Sequence, residues 1–328
     1  MAALVIHETD LFHPHCDPDD HWDLACQFAL AARGDTELCG VMIDSPPDAQ
    51  YQPDIFAVNQ MNTITGLHVP CGVGSPGKEV SSDKTCSGVN LLLDMLKRAP
   101  EPVAIHIVGS SRDVAAAGKL YPKLFAEKCK GIYLNAGSGT ETELQEYNVT
   151  LDPAAYAGIF EIPCPIYWMP CFHALPSDFS KITVGKFGTY YNFVQSDILP
   201  SLSSRVQNYF LYMFTRTTDI KWLSYLDNEP DGELLAKYGE TRRGMWCTAG
   251  FLHTAGLLVD CDGNTAPEGK LPGNPVYKFT PVSVKCNAQG IVTWERAEKS
   301  NQYIFEVLDE TRYQAAMTKA LAQLVSTL

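Results

Sequence analysis

Short apolar runs alternate with longer helical patterns along the first half of this 328-residue chain. Runs of this length are typical of buried strands, and the stretches between several of them have the spacing of apolar residues found in helices. This alternation favours a mostly parallel sheet covered by helices. The predicted strands are residues 3–6, 38–43, 70–73, 103–109, 131–137 and 165–170. The predicted helices include one that ends near Gly34 and others at 88–97, 113–128 and 153–160.

The second half of the chain is less regular. A helical pattern rich in aromatic residues covers 203–215, followed by a polar stretch at 227–243 and a loop rich in Gly and Pro at 262–275. The end predicts an antiparallel pair at 276–285 and 290–295, a strand at 303–308 and a closing helix to about 324. With neither a repeat nor a linker, the sequence predicts one doubly wound α/β domain over residues 1–328, with irregular helical insertions in its second half.

Charge and cysteine usage narrow the class of protein. The formal net charge is −13, with 38 acidic and 25 basic residues and no long cluster of Lys and Arg, which argues against a nucleic-acid partner. Eleven scattered cysteines without a CxxC pair indicate reduced thiols. We find neither a basic leader segment nor an apolar run long enough to span a membrane. We therefore expect no membrane partner and a cytoplasmic location.

The acidic residues concentrate between Asp10 and Asp23, where fourteen residues contain five aspartates and three histidines. The cluster lies between the first predicted strand and the first predicted helix, so a tight turn would gather several carboxylates at a strand end. One or two of them could simply cap the helix. Five like charges this close together cost stability unless a cation or substrate hydroxyls offset their repulsion. The cluster therefore predicts a metal-centred active site.

Four motifs in the same order resemble the nucleoside hydrolase family, of the inosine-uridine preferring type, and especially a divergent branch with a TD…DPDD start. They are Glu8-Thr9-Asp10 with Asp17-Pro18-Asp19-Asp20, the segment VAIHIVGSSRD at 103–113, the segment GIYLNAG at 131–137, and Gln145-Glu146-Tyr147-Asn148 followed by Asp152-Pro153-Ala154-Ala155. The closing segment 303–324 resembles the end of that family as well.

The resemblance implies a Rossmann-like fold and an N-glycosyl hydrolase activity. Members of the family use water to cut the N-glycosidic bond of ribonucleosides, which yields ribose and free base. It also implies Ca²⁺ as cofactor, with another divalent metal possible, a small-molecule nucleoside as substrate, and a homodimer or homotetramer.

The resemblance assigns the metal-binding and catalytic residues. Asp10 is expected to be a metal ligand and the base toward water, and Asp20 a second metal ligand. The main-chain oxygen of Val108 matches a third ligand position, and a carbonyl suits a hard cation. Asp17 is an extra carboxylate that could share the catalytic role.

Three further residues match the family's ribose contacts, namely Asp19, Glu146 and Asn148. Alternation in a short extended segment predicts that Glu146 and Asn148 lie on one face, with Tyr147 opposite. Aromatic and histidine side chains after strand ends could stack on a base, and we single out His173 and Trp246 as substrate-binding candidates.

The chain departs from the family pattern at two points. Residues 245–250 contain no carboxylate where the family has a metal-binding Asp, so either Thr248 or Asp17 compensates or the metal is lost. The family's early Gly-Asn turn reads Ser45-Pro46-Pro47-Asp48 here, which makes Asp48 the expected sugar contact.

An insertion between Asp10 and Asp17 also brings His13, His15 and Cys16 beside the aspartates. Histidine with carboxylate can hold zinc or iron instead of calcium. The sequence leaves the role of these three residues open.

Two other functions compete with nucleoside hydrolysis. A magnesium phosphohydrolase would need a later acidic pair, for which Asp260-Cys261-Asp262 is the candidate. A binding protein could instead keep the fold and have lost catalysis with the missing Asp. Whether residues 227–243 form a lid over the pocket also stays open.

Overall fold

A large sheet with helices on both faces forms the core of the computed structural model, which describes residues 2–76 and 86–328. The strands are β1 Ala3–Thr9, β2 Phe12–His13, β3 Thr36–Ile43, β4 Gln52–Pro53, β5 Cys71–Val73, β6 Val103–Ile107, β7 Cys129–Asn135, β8 Ile166–Met169, β9 Tyr191–Val194, β10 Arg242–Met245, β11 Leu257–Val259, β12 Thr265–Pro267, β13 Tyr277–Cys286, β14 Val292–Arg296 and β15 Gln302–Val307. The helices are α1 Pro18–Ala32, α2 Ile55–Thr65, α3 Ser87–Arg98, α4 Arg112–Leu120, α5 Pro122–Lys128, α6 Tyr147–Leu151, α7 Pro153–Ile159, α8 Ser204–Phe214, α9 Gly232–Gly239, α10 Thr248–Thr254 and α11 Glu310–Val325.

The main sheet has nine strands in the order β14-β13-β15-β8-β7-β6-β1-β3-β5. All neighbours from β15 to β5 are parallel, whereas β13 is antiparallel to both β14 and β15. The chain moves outward from β1 through β3 to β5 and then returns to β6 on the other side of β1. The strand order therefore reverses beside β1, which is where open α/β sheets bind their ligands.

Apolar side chains of β1 supply both faces of this sheet. Val5 belongs to a core cluster with α1, α2, α8, α10 and α11, while Leu4 and Ile6 belong to a second cluster with α3, α4, α5 and α7. A strand buried on both faces reads as a continuous apolar run, which explains why β1 was recognisable in the sequence. The prediction of a doubly wound α/β fold is confirmed.

Most predicted elements are present, with some differences. The predicted helix 113–128 is wrong as a single element, because α4 ends at Leu120 and α5 starts at Pro122. Proline lacks an N–H group and disfavours helical backbone at the residue before it, here Tyr121 with φ −126° and ψ 53°. The sequence reading missed α2, and it missed that the polar stretch 227–243 contains α9 and the start of β10.

Two further features of the structure concern the cysteines and the character of the helices. Each of the eleven cysteines is a free thiol. Among the described residues, every helix lacks the length or the apolar character needed to cross a bilayer.

Candidate active site

A cavity of about 170 Å³ lies at the carboxyl ends of the parallel strands, beside the reversal of strand order. Residues at or just after the ends of β1, β6, β7 and β8 contribute to its wall, together with the first turns of α1 and α6. The lining residues are Asp10, Asp17, Asp19, Asp20, Asp23, Val108, Asn135, Glu146, Tyr147, Asn148, Cys171, Phe172, Phe179, Trp246 and Cys247.

Three carboxylates converge in this cavity. Asp10 follows β1, Asp17 precedes α1, and Asp20 lies in the first turn of α1. Each offers an oxygen atom, and these oxygens all lie within 4.8 Å of one another. Asp17 occupies the N-cap position, but its side chain makes no capping hydrogen bond. Capping therefore does not explain this carboxylate.

Burial and mutual repulsion make the cluster unfavourable on its own. Burial, followed by the charges of Asp17 and Asp44, raises the pKa of Asp10 well above its usual range. Burial and the charges of Asp10, Asp17 and Asp19 raise the pKa of Asp20 in the same way, although Thr9 donates a hydrogen bond of 2.6 Å to its Oδ1. A cation between the carboxylates would remove this penalty.

The donor atoms fit a hard divalent cation. The carboxylates of Asp10, Asp17 and Asp20 supply oxygen ligands, and Val108 lines the same cavity. The Val108 carbonyl accepts a hydrogen bond from Asn148 Nδ2 at 3.0 Å, which leaves it a second lone pair. Oxygen ligands of this kind are those that Ca²⁺ and Mg²⁺ prefer.

Asp19 lies on the wall of the cavity opposite a cationic side chain. Nη1 of Arg243, on β10, is 4.0 Å from Asp19 Oδ1. Burial and the nearby Asp17 raise the pKa of Asp19, and Arg243 opposes that rise. This contact is where the segment 227–243 reaches the site.

Glu146 is the N-cap of helix α6, so the predicted extended segment around it is wrong. Its carboxylate accepts hydrogen bonds from the backbone N–H groups of Gly137, Asn148 and Val149 at 3.1, 2.8 and 3.4 Å. Because the helix begins at Tyr147, Glu146, Tyr147 and Asn148 all contact the cavity instead of alternating between two faces. The backbone bonds fix the orientation of the Glu146 carboxylate, and burial still raises its pKa.

Asp23 is a candidate site residue that the sequence analysis did not assign. It lies one helical turn after Asp20 on α1, is only 2% exposed, and lines the cavity near Cys247, with its Oδ1 lacking a hydrogen-bond partner among the described residues. Cys247 itself donates to Asn135 Oδ1 at 3.1 Å. Burial raises the pKa of Asp23 to about 7. A carboxylate thus lines the same cavity as the segment 245–250, which itself contains none, and the spacing of three residues from Asp20 was the available signal.

Aromatic side chains form one side of the cavity. Rings of Phe172 and Phe179 lie 5.8 Å apart, and Trp246 packs edge-on against Phe172 at 6.0 Å. Phe179 and Tyr147 are 60% and 53% exposed, which leaves apolar surface open at the mouth. The indole Nε1 of Trp246 is buried and has no hydrogen-bond partner among the described residues.

Three predicted site residues do not reach this cavity. Asp48 is exposed and accepts hydrogen bonds from Gln50, because the loop after β3 carries it outward. His173 packs against Phe187, and the hydroxyl of Thr248 is buried in a 2.8 Å hydrogen bond with Tyr191. Their positions do not support sugar, base or metal contacts.

Of the two aspartates in the loop after β3, Asp44 and not Asp48 lies near the carboxylate cavity. It directly follows β3, is 2% exposed, and accepts a hydrogen bond from the backbone N–H of Ser110 at 2.6 Å. Its charge acts on Asp10. The signal for it was an aspartate at a predicted strand end, four residues before Asp48.

The sequence left the roles of His15 and Cys16 open. His15 pairs with Asp54 and not with the carboxylates of the cavity, and Cys16 is exposed.

In the late acidic pair, Asp260 accepts hydrogen bonds from the backbone of Asp262 and Asn264. The late acidic pair is thus a turn, as its Gly-rich setting indicated.

The fold and part of the sequence are similar to known nucleoside hydrolases. No family model matches the chain. The pyrimidine-specific ribonucleoside hydrolase RihA of Citrobacter koseri is 28% identical over 104 residues, which cover 30% of this chain and 33% of that protein. The sequence match therefore spans about a third of the relative's length.

Solved structures extend the likeness over the whole chain. The purine-preferring ribonucleoside hydrolase from Gardnerella vaginalis matches with a TM-score of 0.60 and 14% identity, covering 99% of each chain. The inosine-uridine preferring nucleoside hydrolase from Bacillus anthracis matches with a TM-score of 0.55 and 14% identity, covering 99% of this chain and 100% of that one. At this identity the agreement establishes the fold, and the predicted nucleoside hydrolase-like architecture is confirmed.

Proposed function

We propose that this protein is a ribonucleoside hydrolase, which uses water to cleave the N-glycosidic bond and releases ribose and free base. The observation that carries the proposal is the convergence in one cavity of Asp10, Asp17 and Asp20 with Glu146 and Asn148. The first group suits a divalent cation and the second suits sugar hydroxyls, so one small ligand can meet both. The partial sequence match to RihA and the shared fold support the same reaction.

We infer that Asp10, Asp17, Asp20 and the Val108 carbonyl hold Ca²⁺, with Mg²⁺ or another hard divalent cation as the alternative. Bound there, the cation would lower the pKa of a coordinated water and anchor sugar hydroxyls. Asp10, at the end of β1, is the carboxylate that accepts the proton of the attacking water.

The sugar would be held by three side chains with defined supports. Glu146 is oriented by three backbone N–H groups and keeps lone pairs for a hydroxyl group. The Oδ1 of Asn148 is buried and has no partner among the described residues, so it can accept a hydroxyl proton. Asp19, opposite Arg243, is the third sugar contact. Holding the sugar firmly supplies the positioning that glycosidic cleavage needs.

The aromatic side of the cavity would accept the base. Phe172, Phe179 and Trp246 offer ring faces and edges for stacking, and the Trp246 N–H is free to donate to a base nitrogen or oxygen. The exposed ring of Phe179 would lose solvent contact when a base binds, which adds to affinity.

A second candidate function is binding or modification of a sugar or modified nucleoside without ordinary hydrolysis. The observation that favours it is the segment 245–250, which lines the cavity through Trp246 and Cys247 but contains no carboxylate where the resembling family has a metal-binding Asp. Asp23 lines the same cavity as Cys247 and supplies a carboxylate there, which favours a retained metal site. A phosphohydrolase has less support, because no lysine or arginine is among the described lining residues and the nearby Arg243 is paired with Asp19.

The divergent-branch assignment, a homo-oligomeric state and a cytoplasmic location remain predictions. None of them is required by the proposed chemistry. Gel filtration with light scattering tests the second.

The test incubates the protein and Ca²⁺ with each of a panel of purine and pyrimidine nucleosides. Chromatography then measures the free base and ribose that are released. The proposal expects equal amounts of base and ribose from at least one nucleoside and names the base. Folded, calcium-loaded protein that releases neither product from any nucleoside would favour the binding protein instead.

A further inference from the structure

We propose that His13, His15 and Asp54 form a second metal site, which takes a borderline transition-metal ion such as Zn²⁺ and lies beside the carboxylate cavity. Each residue offers one ligand atom, and these atoms lie within 4.8 Å of one another. The group is separate from the cluster of Asp10, Asp17 and Asp20, which forms its own set. The inference does not depend on nucleoside hydrolysis.

The three side chains lie together with His21 in one compact group. His15 Nε2 lies 2.7 Å from Asp54 Oδ2, and His21 Nε2 lies 3.3 Å from the same oxygen. The ring centroids of His13 and His15 are 5.1 Å apart, and those of His15 and His21 are 4.6 Å apart. Asp54 is 0% exposed and His15 3%, so these two side chains are shielded from solvent, whereas His13 is partly buried.

An unsatisfied nitrogen atom points to a missing ligand. The Nδ1 atom of His13 is buried without a hydrogen-bond partner among the described residues, and His15 faces Asp54 Oδ2 with its Nε2. Buried polar atoms nearly always have a partner, so the unpaired imidazole nitrogen of His13 in this group needs an explanation. A coordinated metal ion supplies one, because imidazole nitrogen and carboxylate oxygen are common zinc ligands.

The helix start at α2 fixes the orientation of the carboxylate. Asp54 Oδ1 caps α2 by accepting hydrogen bonds from the backbone N–H groups of Phe56 and Ala57 at 3.0 and 3.2 Å. The other oxygen, Oδ2, therefore faces the histidines. Ligands held by outer hydrogen bonds in this way are pre-arranged for a metal ion.

The chemistry of the donors separates this site from the carboxylate cavity. Two imidazoles and one carboxylate favour Zn²⁺, Co²⁺ or Ni²⁺, whereas an oxygen-only set favours Ca²⁺ or Mg²⁺. Aromatic rings enclose the histidines, with Tyr212 at 6.4 Å from His13 and 5.8 Å from His15, and Phe56 at 5.2 Å from His13.

The position of the site gives it a structural role. His13 and His15 lie in the segment between Asp10 and Asp17, and His21 Nδ1 is 3.4 Å from the main-chain oxygen of Asp17. An ion held by β2 and α2 would fix the segment that carries Asp17 into the cavity. It would also stabilise the folded chain by its binding free energy.

The experiment titrates the chelator-stripped full chain with Zn²⁺ by calorimetry and with Co²⁺ by visible absorption. We expect one Zn²⁺ per chain, a Co²⁺ spectrum with imidazole ligands, and at least a 100-fold loss of Zn²⁺ affinity in His15→Gln. His13→Gln, at a more exposed position, serves if His15→Gln fails to fold. His68→Gln, on the surface, is the matched control and should bind Zn²⁺ like the wild type.

Ca²⁺ titrations of the same variants assign each ion to its site. Asp20→Asn should keep Zn²⁺ binding and weaken Ca²⁺ binding, and His15→Gln should do the reverse. Wild-type protein that binds no Zn²⁺, or folded His15→Gln and His13→Gln proteins that bind it with wild-type affinity, would overturn the proposal. Loss of Zn²⁺ in Asp20→Asn alone would place the ion in the carboxylate cavity and would overturn it as well.

Discussion

The side-chain amide of Asn148 donates a 3.0 Å hydrogen bond to the main-chain carbonyl of Val108. This bond joins the first turn of α6 to the loop after β6, and both residues line the cavity. A proposed sugar contact and a proposed metal ligand are therefore hydrogen-bonded to each other. A substitution at Asn148 should thus alter metal binding as well as sugar binding.

Replacement of Asn148 by alanine tests this link. Loss of a sugar hydrogen bond and of the support for the Val108 carbonyl should lower kcat/KM about 10- to 100-fold, with weaker Ca²⁺ binding. Nucleoside kinetics and calorimetry provide the measurements. Thr150→Ala, on the exposed part of the same helix, should leave both unchanged. Normal kinetics in Asn148→Ala would remove Asn148 from the site.

Asp10→Asn should nearly abolish turnover while the fold stays intact. Removing the proposed base and metal ligand should cost about 10³-fold or more in kcat. Removing one of several repelling carboxylates should leave the thermal stability of the stripped protein unchanged or higher. Asp94→Asn, at an exposed position of α3, is the control. Retained turnover with unchanged Ca²⁺ affinity would rule out the assigned role.

Trp246→Phe should weaken binding of the nucleoside's base and leave the contacts to its sugar unchanged. The substitution keeps an aromatic ring but removes the indole N–H, so KM should rise about fivefold while kcat changes little. Steady-state kinetics on the best nucleoside measure the effect, and Trp222→Phe, outside the cavity, is the control. A fall in kcat alone would place Trp246 in the chemical step and contradict stacking of the base against it.

Asp23→Asn should change how stability depends on pH. Burial raises the pKa of Asp23 from 3.8 to about 7 in the folded chain, so between these values the folded state holds a proton that the unfolded state has lost. Wild-type stability should then fall as pH rises through this window, by up to about 1.4 kcal/mol per pH unit from this group.

The measurement is urea unfolding of both proteins from pH 4.5 to 8 with chelator present. The asparagine variant lacks the titrating group, so its stability relative to the wild type should increase up to about pH 7 and then stay level. A difference that does not vary with pH would show that Asp23 is not held protonated.

The fold was predictable because its strands are buried on both faces. Continuous apolar runs such as that in β1 stand out from the sequence, and their alternation with helices fixes the class. The break between α4 and α5 was also readable at Pro122, and α2 was readable from Asp54, which caps its start, and Gly66, which ends it in the left-handed conformation.

The candidate site was predictable only where strand ends and motifs coincide. Asp10, Asp17 and Asp20 converge because a strand, a turn and a helix follow one another directly. The pairing of His15 with Asp54 joins residues 39 positions apart, and the meeting of Asp23 and Cys247 in one cavity likewise depends on tertiary packing. Sequence spacing alone cannot reveal such pairs.

The most direct test of the central claim is nucleoside hydrolysis measured while the chelator-stripped protein is titrated with Ca²⁺. The account predicts that base release is lost on stripping and returns in proportion to Ca²⁺ bound, and that Asp20→Asn shifts this titration to much higher concentration. Full hydrolysis by stripped wild-type protein, or calcium binding at the cavity without hydrolysis of any nucleoside, would contradict it.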